Sequence, residues 1–265
     1  MNSFMNGIVF LLTTLAYFLT IKPILSTDIL ESVELYAKYT KDSYLAIAIY
    51  LAITIMLQFF INMASISSMC GGNIVDNMGT SVMSTFFPWF FIFVPLIVAL
   101  MLYPNIKNMF SDVVGYFWVS NSASTLLTEL LIDKNSANES ENVQAVTELV
   151  LKIYGNNSLL INQITPSNFA DYWTQLKPLI KPTMYESRDM KTKLFDIVVS
   201  RDNIGEAMWL MYTGMLVVSL VQLKIASRGC IQSQATMEKN YKQYLEDEKK
   251  VSEEKELAQS TTYTL

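Results

Sequence analysis

The sequence predicts a mainly α, polytopic membrane protein with four transmembrane helices and an inserted helical extramembrane domain. Three observations predict it. Of 265 residues, 51% are hydrophobic and only 16% charged, against the roughly 25% charged of an average soluble domain. Four stretches stay apolar over the roughly 20 residues that a helix needs to cross a hydrocarbon core. The segment between the third and fourth, residues 104–206, is too long for a structureless connection and carries helical periodicity.

The first predicted span covers 7–25, with Lys22 near its end, where its stem can snorkel to the interface. A secretory signal peptide is the competing reading. No Lys or Arg precedes the apolar run and no small-residue cleavage site follows it, so a span is the better assignment. The second span, 44–66, carries no charge. The third, 86–103, has aromatics at one end and Tyr103-Pro104 at the other. Pro95 lacks a backbone donor, which predicts a kink inside it. The fourth span lies within 207–229, with Lys224 and Arg228 at its far end. The charged, helix-prone loop 26–43 is expected to lie along the interface rather than cross it.

Four crossings put residues 67–85 and both ends of the chain on one face, and 26–43 and 104–206 on the other. Near the membrane the second face carries Lys22, Lys38, Lys41, Lys107, Lys191, Lys193 and Arg201, and the first carries Lys224, Arg228, Lys239 and Lys242. That bias points to the 104–206 face as cytosolic. Two sequons, at Asn138 and Asn156, argue the opposite if they are glycosylated.

Within 104–206, helices are expected over 140–155, after Pro166, and over 186–200. Phe110, Tyr116, Phe117 and Trp118 read as interfacial anchors beside the third span, with a lipid or partner groove as the other reading. In the tail, 230–265, residues 237–259 mix lysines and acids at helical spacing, the pattern of a solvated helix with i,i+4 pairs.

Several function classes fall away. The chain has no histidine, which removes His-based triads, histidine metal sites and the physiological-pH switch. No phosphate-binding loop, dinucleotide fingerprint or nucleophile elbow is present. Carboxylates are scattered over loops; Asp171, Glu186, Asp189 and Asp196 could cluster in the 104–206 domain, which makes a membrane enzyme using them the last-ranked reading. No enzymatic activity, cofactor or metal is expected, and a net charge of −5 gives no reason to expect nucleic acid. Inside the spans, Gln58 and Asn62 are four apart and share a helix face. Interhelical hydrogen bonding is their first reading and a polar translocation path the second. No ionisable group falls at mid-membrane, which argues against a coupled transporter. Cys70 and Cys230 each follow a span on the same face. Free thiols suit a cytosol-facing setting, and a disulfide suits an oxidising one.

From Asp196 to Cys230 the chain reads DIVVSRDNIGEAMWLMYTGMLVVSLVQLKIASRGC. Trp209, a Thr213-Gly214 pair inside an apolar run, Ser219, and Cys230 beyond the span form a pattern. It resembles one in membrane proteins of large icosahedral double-stranded DNA viruses, the chlorovirus and phycodnavirus relatives. Gln222 and Lys224 stand where that pattern has aromatic and Asn residues. The resemblance implies a virion component, an inner-membrane or minor capsid protein beneath the major capsid shell. Its partners would be membrane lipid and other capsid or membrane proteins in a multi-copy assembly. Independently of the resemblance, Gly214 allows close helix approach, Thr213 and Ser219 can hydrogen-bond across such a contact, and Trp209 suits an interface depth. The functional expectation is a structural membrane protein. The alternative is a channel or transporter subunit with a polar path near Gln58 and Asn62.

Overall fold

Four helices carry the apolar stretches. The computed structural model describes residues 3–70, 78–132, 152–153, 155–227 and 234–262. Helix α1 (Ser3–Ala16) runs into a wide π-turn, Tyr17–Ile21. A short α2 (Thr27–Glu31) is capped by Ser26, whose side chain accepts from the Ile29 amide. Then come α3 (Val33–Cys70) and α4 (Met78–Pro88), followed by a π-turn over Trp89–Phe93 that leads into α5 (Val94–Leu102). The 104–130 run begins with a 3₁₀ turn (Pro104–Lys107) and α6 (Asn108–Phe110). It continues through a π-turn (Ser111–Gly115) into α7 (Tyr116–Leu130). Among the described residues three short α-helices follow: α8 (Ser158–Ile161), α9 (Phe169–Gln175) and α10 (Pro182–Tyr185). The 40-residue α11 (Arg188–Ser227) and the tail helix α12 (Gln234–Thr262) complete the described chain. The chain is mainly α, and among the described residues four helical segments are long and apolar enough to span a bilayer: Phe4–Ile21, Val33–Cys70, Met78–Leu102 and Arg188–Ser227.

Three boundaries differ from the expected ones. The 26–43 loop is not a separate interfacial element. Ser32 is extended and accepts from the Leu35 amide, so it caps α3, and from Val33 onward the chain enters the second span without a break. No Gly or Pro lies between Val33 and the apolar run, and a helix without a breaker continues. The third span starts at Met78, eight residues earlier than expected, because Ser81, Ser84 and Thr85 are buried against the other helices. Pro95 is accommodated by the π-turn before it, where the Val94 amide donates to the Trp89 carbonyl. Residues 186–200 and the fourth span are one helix, about 60 Å long at 1.5 Å per residue. That is about twice the hydrocarbon thickness.

The expected helix at 140–155 falls almost wholly outside the described residues, as does Asn138. The helix after Pro166 is α9, and the tail is helical with an i,i+4 pair between Lys242 and Glu238 at 3.1 Å.

Two hydrophobic cores form. The membrane core gathers Phe10, Tyr17, Tyr50, Trp89, Phe93, Leu210, Val217 and Val221. The cap core gathers Leu127, Leu130, Ile161, Ile164, Phe169, Trp173, Leu194 and Phe195. An antiparallel bridge between Leu131 and Ile180 closes the cap. Helix α11 threads both cores, with Met190 to Val198 in the cap and Leu210 to Ile225 among the spans. Its middle, 201–206, faces what lies between them.

Candidate functional site

A charged layer separates the cores. Asp202 and Glu206 are four apart on α11 and share a face. Lys22 follows directly on the π-turn that ends the first span, and Lys107 ends the 3₁₀ turn after the third. Glu206 bridges them, with Lys22 Nζ at 2.9 Å and Lys107 Nζ at 2.8 Å, and Lys107 Nζ also lies 3.0 Å from Asp202. All four side chains are between 10% and 15% exposed. Burial disfavours the Lys22 ammonium and lowers its pKa despite Glu206. Burial acts on Lys107 the same way, but two carboxylates outweigh it and raise its pKa. Charges in such a place are tolerated because each has a partner.

Arg201 anchors the cap side of the layer. Its fully buried guanidinium donates to the Ile164 carbonyl at 2.9 Å, to Asn162 Oδ1 at 3.2 Å and to the Ile161 carbonyl. Asp112 approaches it at 3.6 Å. Partial burial raises the Asp112 carboxyl pKa, with Arg201 opposing that rise. Two glycines let the 104–115 run lie directly on α11. A β-carbon on Gly115 would come within 2.5 Å of the Arg201 carbonyl oxygen, and one on Gly205 within 2.8 Å of the Lys107 carbonyl oxygen. Close backbone approach is what carries Lys107 to the acids.

Beside the charged layer lies a cavity of about 220 Å³, between the start of α3, the end of α5, the 165–167 loop and α11. Its lining includes the four charged residues together with Ile47, Ile97, Leu100 and Leu210. Its chemistry is that of a dipolar, amphipathic container, with two ammonium groups and two carboxylates.

At membrane depth, Asn62 ties all four spans together. It accepts from Asn6 Nδ2 at 3.0 Å and from Gln222 Nε2 at 2.9 Å, and donates to Thr85 Oγ1 at 2.9 Å. Gln58, one turn earlier, is equally buried but donates only a long 3.5 Å bond to the Asn6 carbonyl. Its Oε1 has no partner. Trp209 donates from Nε1 to the Ile106 carbonyl at 2.9 Å and meets Phe110 edge-on at 4.9 Å. Gly214 takes the ring of Phe10, and Thr213 beside it is half-buried. Ser219 does not reach across to another helix: it is exposed and donates to the Met215 carbonyl in its own helix. Cys70, at the end of α3, is disulfide-bonded rather than free, and Cys230 lies outside the described residues.

The aromatic group at 110–118 divides. Phe110 packs on Trp209 and Tyr116 on the cap core, whereas Phe117 and Trp118 are exposed at 80% and 76%. Among the acids, Asp171 and Asp196 are exposed and Asp189 pairs with Lys193.

Sequence reasoning did not bring Lys22, Lys107, Arg201, Asp202 and Glu206 together: it placed Lys22, Lys107 and Arg201 only as basic residues near span ends. The signal was available, because four crossings put all five on one face and Asp202 and Glu206 sit at i,i+4. No family model, curated protein or solved structure matches the chain.

Proposed function

We propose that the chain is a structural membrane protein, which holds a helical cap at a fixed attitude to the bilayer and presents cap and tail to protein partners. The observation that carries this reading is the single helix α11, shared by both cores and clamped where it leaves the membrane. A hinge between span and cap would let the cap swing. A continuous helix with two buried ionic locks transmits position instead. The polar groups at membrane depth fit the same reading, since Asn62 spends its hydrogen bonds on other spans, as interhelical glue does.

The resemblance of residues 196–230 to viral membrane proteins makes the finer proposal a virion inner-membrane component that tethers the membrane to a capsid shell. The test is cross-linking mass spectrometry on the native membrane or particle that contains the protein. Links from Lys177, Lys181 or Lys191 to a coat protein support the tether. Links only between copies of this chain across 44–66, with conductance in liposomes that alanine at Gln58 and Asn62 abolishes, would replace it with the pore reading.

A further inference from the structure

We infer that the cavity beside the charged layer seats the headgroup of a zwitterionic phospholipid. Depth is the first argument. Its walls include Lys22, directly after the first span, and Pro104 and Asn105, directly after the third, which is where headgroups lie. Charge is the second. Lys22, Lys107, Asp202 and Glu206 sum to zero, so a simple anion meets carboxylates within 3 Å of every lysine, and a simple cation meets the converse. A phosphate joined to an ammonium group satisfies both signs at once, the phosphate toward lysine and the ammonium toward carboxylate.

Aromatic content is the third argument. Tyr17, Tyr36, Tyr39 and Tyr44 all border the cavity, and the faces of such rings attract alkylammonium groups. Apolar lining is the fourth. Ile47, Ile97, Leu100 and Leu210 share the cavity with the charged groups, which suits the glycerol and first methylenes of a lipid better than a water-soluble ion. Tyr36, Tyr44 and Met101 border the cavity and are exposed, so acyl chains would leave the cavity past them. The inference does not depend on whether the cap binds protein partners.

The test uses the full chain reconstituted in nanodiscs of equal phosphatidylcholine, phosphatidylethanolamine and phosphatidylglycerol, then moved into detergent for native mass spectrometry. One retained choline or ethanolamine lipid per chain is expected. Ser167→Trp and Asn105→Trp, at exposed lining positions on two separate chain segments, should each lower retention about tenfold or more. Ala16→Trp, in the separate apolar groove between α1 and α3, should not. Unchanged unfolding temperatures separate blockage from misfolding, and two independent segments guard against one variant failing to fold. Equal retention of phosphatidylglycerol, retention that survives both tryptophans in folded protein, or binding of soluble phosphocholine with no lipid retained would each overturn the inference.

Discussion

A β-carbon on Gly214 would sit 1.9 Å from Cζ of Phe10, whose ring is fully buried and wedged against Trp89 and Phe93 at centroid distances of 5.6 and 6.0 Å. The ring has nowhere to retreat, so the first and fourth spans meet at a contact only glycine permits. We expect Gly214→Ala to destabilise the bundle by about 1–3 kcal/mol through overpacking. Phe10→Leu in the same chain should recover part of that loss. Denaturation of the two single variants and the double variant in detergent measures the coupling, and purely additive effects would show that the contact is not shared.

Asn62 and Gln58 are equally buried but should not be equally important. Removing Asn62 severs bonds to three other spans, and each such bond is worth about 0.6 kcal/mol on average and up to about 1.7 in a membrane. Asn62→Leu should therefore cost about 2 kcal/mol. Gln58→Leu should be neutral or stabilising, because its Oε1 is buried without a partner and its one bond is long. Equal losses in an unfolding assay would contradict this ranking.

Arg201 holds the 161–164 turn by its carbonyls, and bonds from a charged donor are worth about 1.5–3 kcal/mol each. Arg201→Met keeps the bulk and leaves those carbonyls buried without donors. Hydrogen exchange should then speed up across 158–180 while α1, α3 and α5 stay protected. Uniform loss of protection would mean that cap and spans unfold as one unit.

Lys107 carries an alkaline dependence. Its pKa is raised above the ordinary 10.5 because two carboxylates outweigh burial. A raised folded value means stabilisation that is whole below 10.5 and is lost as pH rises through the folded value. Lys107→Met, which takes the lysine from Asp202 and leaves Glu206 with Lys22 alone, should lower stability by about 3 kcal/mol at neutral pH. The gap between variant and parent should hold up to that point and close in stronger alkali. Thermal unfolding of both proteins over that range measures it, and a gap that narrows between neutral pH and 10.5 would assign the dependence to other groups.

Much of this architecture was legible in the residues themselves. Apolar length is a local property, so four spans could be counted from hydropathy. The i,i+4 spacing of Gln58 and Asn62 put both on one face, and Gly214 announced a close contact without naming Phe10 as its partner. Helix ends were less legible, because breakers define them. No Gly or Pro interrupts Val33 to Cys70, and no Pro lies between Ser200 and Ala207, where Gly205 packs against Lys107 and Ser111 inside the helix; helices that read as separate pieces therefore ran together into α3 and α11.

The sequence by itself determined the class of protein, since burying so apolar a chain without a bilayer would leave few polar residues to face water. Tertiary structure decided which polar groups matter. Lys22, Lys107 and Glu206 are 85 to 184 residues apart and meet only because three chain segments leave the membrane at one level. Their attraction depends on distance and burial, and neither quantity exists along a one-dimensional chain.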